Sequence, residues 1–194
     1  QEYQNLTNHK GNRILSFQKS FHGGSTIGAS LISGDQRRKS KAEKYKLPWE
    51  PLMANPDWSD KGKSSLEQID TLLDKSISSI LIEGSSGSAG CILYPEGYIQ
   101  KLVDMCHRKN IIVICDEVMS GCGRTGEFWA HQKHNIKPDI ITCAKGITSG
   151  YTQLGAVIIN SKISDIFIDN PVMCGLTYSG HPLACEVANK CLDL

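Results

Sequence analysis

The sequence has no Cys-x-x-Cys pair, and its eight cysteines are spread over positions 91, 106, 115, 122, 143, 174, 185 and 191. A zinc ribbon or a redox-active dithiol needs closely spaced cysteines, so neither is indicated. Several of the eight stand inside apolar runs, where cysteine behaves as a small hydrophobic residue. This usage predicts a reducing, cytoplasmic compartment rather than a disulfide-stabilised secreted domain.

Long apolar runs and a strong charge of one sign are also missing. No apolar run approaches the length of a membrane span, and the polar start QEYQNLTNHKGNR lacks the apolar centre of a secretory signal. The formal net charge of +1 gives no general attraction to nucleic acid or to anionic membranes. One basic cluster within residues 37–46 is interpreted as a solvated loop. We therefore predict neither a nucleic-acid partner nor a membrane partner.

Short β-rich runs recur along the chain, and each ends in small or polar residues. Their hydrophobicity is nearly continuous rather than alternating, which predicts strands buried on both faces, as in a parallel sheet. The runs cover residues 13–17, 79–83, 111–116, 139–144 and 154–160. Helical patterns separate some of them, at residues 66–75, 95–109, 161–168 and 182–192. This alternation predicts an α/β fold in which helices sandwich a mostly parallel sheet.

Ligands of open α/β sheets bind at the carboxyl ends of the strands, and the unusual residues of this chain follow those ends. Asp116 follows one buried run and Lys145 follows another. Taken singly, Asp116 could be a helix cap and Lys145 a surface lysine. Together they suit one chemistry. An amine among apolar groups becomes a nucleophile toward aldehydes, and a carboxylate can keep a heterocyclic nitrogen protonated, as pyridoxal phosphate requires.

An ordered series of motifs strengthens this interpretation. DEV at 116–118, GRTG at 123–126, PDI at 138–140, AKG at 144–146, LGAV at 154–157 and GLTYSGHPLA at 175–184 follow FHG at 21–23 and EGSSGSAG from Glu83. In order and spacing, this series resembles the class III aminotransferases of fold type I. The resemblance covers nearly the whole chain, and the series is more specific than any single motif.

The resemblance implies a role for each matching residue. Lys145 would be the Schiff-base lysine that also carries a proton, and Asp116 would pair with the pyridine nitrogen of pyridoxal 5'-phosphate. Phe21 would stack on one face of the cofactor ring and Val118 would pack against the other. Thr177 would reach the cofactor phosphate of the neighbouring subunit in a homodimer.

The resemblance also implies substrates and domain limits. An amine donor and a keto acid would react, most like the branch that uses ω-amino compounds such as taurine or β-alanine with pyruvate. Glu83 would lie near the substrate entrance. Residues 1–194 would form part of the large domain, with the phosphate-binding turn and the small C-terminal domain outside this chain. An aminomutase or a decarboxylating transaminase on the same scaffold, and a truncated non-catalytic dimerisation partner, stay open as alternatives.

No metal site is predicted. His131 and His134 stand three residues apart on what we interpret as a surface turn, and no third ligand is spaced to join them. The glycines of the segment after Glu83 match neither a dinucleotide fingerprint nor a P-loop.

Overall fold

The computed structural model describes residues 10–24, 32–35, 52–172 and 174–194, together with the single positions 3, 6, 7, 26, 29 and 44. Its strands are β1 (Arg13–Phe17), β2 (Leu52–Met53), β3 (Ile77–Glu83), β4 (Ile112–Asp116), β5 (Ile140–Ala144) and β6 (Gly155–Ile159). They form one sheet in the order β2-β1-β3-β4-β5-β6. Neighbouring strands run parallel from β2 to β5, whereas β6 runs antiparallel to β5. The predicted mostly parallel α/β sheet is confirmed.

Helices connect most of these strands. They are α1 (Lys63–Leu72), α2 (Tyr98–Arg108), α3 (Ser161–Ser164), α4 (Ile166–Asp169) and α5 (Pro182–Leu192), with 3-10 helices at Ala130–His134 and Lys145–Thr148. The predicted boundaries of α5 are confirmed. The single helix predicted over residues 161–168 is divided at Asp165 instead.

The core lies around β3, whose seven residues are all buried. Helix α2 packs its apolar stripe into this core, with Ile99, Leu102 and Cys106 on the buried side. Because β3 is covered on both faces, its sequence, ISSILIE, does not alternate between apolar and polar residues. Because the whole strand is buried, its last residue, Glu83, is held in a fixed position.

Strand β6 departs from the prediction that every strand is buried. Four of its five residues are exposed, including Val157, Ile158 and Ile159. Its apolar sequence does not differ from that of a central strand, but β6 lies at the edge of the sheet and pairs only with β5 in the described part of the chain. Apolar periodicity reports that a segment is a strand, and it does not report how many neighbours the strand has.

The short strand β2 lies where the sequence predicts neither a strand nor a helix. One further prediction falls on residues that the structure does not describe. The basic cluster of residues 37–46 lies outside the described residues except for Lys44, so its solvated-loop interpretation stays a prediction. Among the described helices, none is long and apolar enough to cross a membrane.

Candidate active site

Asp116 ends β4, at the centre of the carboxyl edge of the sheet. Its register partners are Glu83, which ends β3, and Thr142 on β5. The backbone N–H of the next residue, Glu117, donates to the carbonyl of Thr142 at 2.8 Å, so the chain leaves the strand while still tied to the sheet. The site therefore begins from a rigid strand end rather than from a mobile loop.

Two donors fix the Asp116 carboxylate, one at each oxygen. The backbone N–H of Val118 donates to Oδ1 at 3.1 Å, and His22 Nδ1 lies 2.8 Å from Oδ2. The His22 side chain is 2% exposed and that of Asp116 is 12% exposed. A carboxylate held at both oxygens keeps its orientation and loses no further conformational freedom when a cation binds.

His22 is itself held in place by the loop that follows β1. Its backbone N–H donates to Ser33 Oγ at 3.0 Å, and Ser33 Oγ donates to the Ala29 carbonyl at 2.8 Å. His22 Nε2 is buried and has no hydrogen-bond partner in the part of the chain that the structure describes. Sequence reasoning left the role of His22 open, and its place directly after Phe21 was the available signal.

Glu83 lies beside Asp116, at the end of the neighbouring strand β3. The residue is 4% exposed, and its Oε1 accepts a hydrogen bond from Ser86 Oγ at 3.0 Å. Burial raises the pKa of Glu83, while His22 and Ser86 oppose that rise. The predicted position of Glu83 near the substrate entrance stays a prediction.

Lys145 begins the 3-10 helix that follows β5, and it adopts a left-handed backbone conformation with φ of 48°. Its Nζ lies 2.9 Å from the sulfur of Met119, three residues beyond Asp116, so the amine points back toward the loop of Asp116. The residue is exposed, not enclosed among apolar groups as the sequence argument assumed. Among the described residues, Lys145 forms no ion pair within 4.0 Å.

Close packing shapes the turn at Lys145. A Cβ on Gly146 would stand 2.8 Å from Cys122 Cβ, too close for two carbon atoms, so the turn excludes a side chain there. Met119 packs across Gly87, where an added Cβ would lie 3.7 Å from the Met119 side chain. The loops after β3, β4 and β5 are thus in direct contact, as the sequence predicted for the carboxyl edge.

The remaining residues that were predicted to contact the cofactor are Phe21, Val118 and Thr177. Phe21 and Val118 are both half-buried and directly neighbour the His22 and Asp116 loops. Thr177 is exposed in the turn 177–180, and no described contact joins it to the residues around Asp116. The roles proposed for these three side chains stay predictions.

A second buried network lies behind the site. Glu117 accepts hydrogen bonds from Ser120 Oγ at 2.6 Å, from the backbone N–H groups of Ala130 and His131, and from His131 Nδ1 at 3.0 Å. Burial alone would raise the pKa of Glu117, but these hydrogen bonds outweigh it and lower the pKa. His131 is therefore a buried partner of Glu117, and its assignment to a surface turn was wrong.

Cys115, Glu117 and His131 place three potential metal-ligand atoms within 4.8 Å of one another. Both Glu117 oxygens already accept hydrogen bonds, and burial raises the pKa of the Cys115 thiol well above its usual range. A thiol that keeps its proton is a poor metal ligand. The cluster is best explained as a hydrogen-bonded support for the loop that carries Asp116.

The arrangement suits a heterocyclic aldehyde. An oriented anion, Asp116, can face a protonated ring nitrogen, and an amine without an ion-pair partner in the described structure, Lys145, can attack a carbonyl. Both stand on connections at the carboxyl edge of the same sheet. On this observation the residues present fit pyridoxal phosphate.

Comparison with known proteins agrees with the geometry. The profile of the family described as "Aminotransferase class-III" matches residues 1–194. The acetylornithine aminotransferase of Aquifex aeolicus is 34% identical over 93% of this chain, which corresponds to 45% of that protein. The ornithine aminotransferase of Oceanobacillus iheyensis is 33% identical over 93% of this chain and 42% of its own length.

Solved structures show the same similarity. The taurine:2-oxoglutarate aminotransferase from Bifidobacterium kashiwanohense, in complex with PLP and glutamate, superposes with a TM-score of 0.88 at 39% identity. That match covers 98% of this chain and 46% of that structure. An (S)-enantioselective omega-transaminase from Thermomicrobium roseum gives a TM-score of 0.85 at 31% identity, over 99% of this chain and 46% of its own. The chain thus spans a little under half the length of these proteins.

Proposed function

This chain belongs to the class III aminotransferase family, and we propose that the natural polypeptide carrying it moves an amino group from a primary amine to a keto acid with pyridoxal 5'-phosphate. The observation that carries the proposal is the Asp116 carboxylate, held at both oxygens beside the turn that bears Lys145. Enzymes of this kind need one group to keep the cofactor nitrogen protonated and another to move a proton.

Pyridoxal phosphate, when bound, supplies the electron sink for the carbon that carries the amino group. The Asp116 carboxylate would face the ring nitrogen and hold a proton there, because a fixed anion favours the cationic form. Lys145 Nζ would hold the cofactor covalently at rest. The donor amine would displace it from the cofactor, and the freed Lys145 amine would then move a proton between the donor carbon and the cofactor carbon. Its side chain carries no described ion pair that would have to break first.

Three further residues complete the proposed site. Phe21 and Val118 would enclose the cofactor ring from opposite faces, and each is half-buried next to a residue of the Asp116 hydrogen-bond set. Thr177 would bind the phosphate of a second copy in a homodimer, which is consistent with its exposure in the turn 177–180. A residue that serves a neighbouring subunit must lie on the surface of its own.

We propose a donor whose primary amine is remote from its acid group, such as taurine, β-alanine or ornithine. The similarity to a taurine:2-oxoglutarate aminotransferase and to an ornithine aminotransferase supports this class. The acceptor would be pyruvate or 2-oxoglutarate. Residues 1–194 would then belong to the large, cofactor-binding domain of the complete enzyme.

The test uses the natural polypeptide that carries this sequence. It is loaded with pyridoxal phosphate, reduced with borohydride and digested, and the labelled peptide is mapped. We expect the label on Lys145, its loss in Lys145→Ala, and its retention in the control Lys162→Ala, which alters another exposed lysine. Label on a different lysine in the wild-type protein would refute the assignment.

The same preparation is assayed with taurine, β-alanine and ornithine against pyruvate and 2-oxoglutarate. Formation of the amino acid derived from the keto acid supports transamination. A donor that loses carbon dioxide, or that returns with its amino group moved to the next carbon, would instead identify a decarboxylating transaminase or an aminomutase. Labelling of Lys145 without any turnover would favour a non-catalytic partner.

A further inference from the structure

We propose that Glu83 acts as a neutral carboxylic acid, so that Asp116 carries the single negative charge of the cluster formed by His22, Glu83, Ser86 and Asp116. We call this set the acid cluster. Glu83 would be a positioning residue, because it acts on the cofactor through Asp116. The inference rests on the proposed function, in which Asp116 faces a protonated ring nitrogen.

The first step is the position of the two carboxyl groups. Glu83 and Asp116 are register partners at the ends of adjacent parallel strands. Glu83 is 4% exposed and the Asp116 side chain is 12% exposed, so solvent screens neither group well. Two carboxylates sharing one poorly solvated site repel each other, and the usual outcome is that one of them keeps its proton.

The second step is the lack of a full counter-charge for Glu83. Among the described residues, no lysine, arginine or histidine lies within 4.0 Å of its carboxyl oxygens. Ser86 contributes one neutral hydrogen bond to Oε1. The other titratable neighbours are Tyr94 and Cys115, and burial raises the pKa of both, which keeps them uncharged.

The third step concerns His22, which is the one potential cation of the acid cluster. Its Nδ1 is committed to Asp116 at 2.8 Å, and its buried Nε2 has no partner in the described structure. No described atom of His22 is hydrogen-bonded to Glu83, so His22 opposes the rise in the Glu83 pKa only through space and not as a direct partner.

These steps decide which carboxyl keeps the proton. Asp116 has two donors, His22 Nδ1 and the Val118 N–H, and it is the more exposed group. Glu83 is more deeply buried, and burial and the nearby Asp116 together raise its pKa more than His22 and the hydrogen bonds to Glu83 lower it. Of the two carboxyls, Glu83 is therefore the one that is favoured to hold a proton.

The titration of Glu83 tests the proposal without the cofactor. Cofactor-free protein carrying ¹³C-labelled glutamate carboxyls is titrated, and the Glu83 signal is assigned by its loss in Glu83→Gln. We expect a midpoint above the pH of the activity assay, and therefore well above the ordinary value of 4.5. Ser86→Ala should raise the midpoint further, because it removes a hydrogen bond to the ionised form, and it provides the assignment should Glu83→Gln fold poorly. A midpoint below the pH of the activity assay overturns the proposal, because Glu83 would then be ionised in the working enzyme.

The loaded enzyme provides a second readout. Glutamine mimics a protonated glutamate and cannot ionise, so the pH profile of kcat/KM in Glu83→Gln should have the wild-type shape below the Glu83 midpoint and depart from it above that pH, whereas the control Glu96→Gln, at an exposed glutamate, should follow wild type throughout. A Glu83→Gln profile that already departs from wild type at the assay pH would mean that the ionised form is needed, and would overturn the proposal. If wild-type protein shows no transamination, the titration still decides the state of Glu83, so the two hypotheses fail separately.

Discussion

At the scale of single residues, the proposed site depends on the fixed orientation of one carboxylate, that of Asp116. Asp116 has its two oxygens bound by different donors, a histidine ring and a backbone N–H, and both donors come from connections anchored to strand ends. Such an anion can favour a cation without reorganising.

The sequence predicted Asp116 and Lys145, because each follows an apolar run. It could not predict the state of Glu83, which depends on strand register and on the contacts of His22.

Substitution of Asp116 by asparagine tests whether the enzyme needs a negative charge at this position. The amide keeps the shape but no longer favours a protonated ring nitrogen, so we expect kcat/KM to fall by about a hundredfold or more while some cofactor is retained. Activity and visible absorbance of the natural polypeptide are measured together. Asp169→Asn, at an exposed aspartate, serves as the control and should leave both unchanged. Undiminished activity in Asp116→Asn would exclude the proposed role.

Substitution of Glu117 by glutamine tests the support network. The side-chain amide nitrogen of glutamine cannot accept a hydrogen bond, so some of the donors on Ser120, Ala130 and His131 would lose their acceptor. We therefore expect the free energy of unfolding to fall by about 2 to 3 kcal/mol at neutral pH. The pKa of Glu117 is lower in the folded protein than its ordinary value of 4.5. The ionised carboxylate therefore stabilises the fold fully at pH values above 4.5, and this stabilisation is lost as the pH falls through the pKa of the folded protein.

Urea unfolding at a series of pH values measures this effect. The gap between wild type and Glu117→Gln should be largest near neutral pH and should shrink under acid conditions. Glu96→Gln is the matched control, because Glu96 is exposed. A gap that is independent of pH would show that packing, rather than the ionised carboxylate, stabilises the loop.

At the scale of elements, the sequence predicted strands and helices well where one periodicity continued over many residues. Helix α2 and strand β3 are examples, since both carry long apolar patterns that pack into the core. The exposure of β6 and the burial of His131 were not predictable in this way. Each depends on a partner distant in sequence: β6 on its position in the strand order, and His131 on Glu117 fourteen residues earlier.

The turn after β5 allows a prediction about close packing. Gly146→Ala would bring two Cβ atoms to 2.8 Å, so we expect it to lower the free energy of unfolding by about 1 to 3 kcal/mol and to weaken cofactor binding at the adjacent Lys145. Cys122→Gly removes the opposing Cβ at a position whose φ is already 56°, a conformation that glycine adopts without strain.

The double variant Gly146→Ala with Cys122→Gly should therefore recover much of the lost stability, whereas Gly146→Ala with Cys174→Gly, at an exposed cysteine, should not. Chemical denaturation and cofactor titration provide the two measurements. Equal recovery in both double variants would argue against the contact between Gly146 and Cys122 as the cause.

At the scale of the whole molecule, the described chain exposes apolar surface at its sheet edge and near its C-terminal helix. Val157 on β6 is 67% exposed, and Leu176 and Tyr178 in the segment before α5 are 81% and 80% exposed. An edge strand with unpaired backbone groups and apolar side chains is a template for pairing with another chain. Large apolar side chains that are exposed in these places mark an interaction region or lead to association.

We therefore expect the 194-residue chain, prepared alone, to associate as its concentration rises, and to transfer few or no amino groups. Light scattering measures the mass, and circular dichroism verifies that the variants keep their secondary structure. Val157→Lys should reduce association, because it places a charge on the β6 edge, while Gln153→Lys adds the same charge at an exposed polar site and should change little. If the chain stays monomeric at all concentrations, or if both lysine variants act equally, then β6 is not the surface through which it associates. Robust amino transfer by a monomer would further show that the site is complete without a second subunit, and Thr177 would then lose its proposed role in the phosphate site of a neighbour.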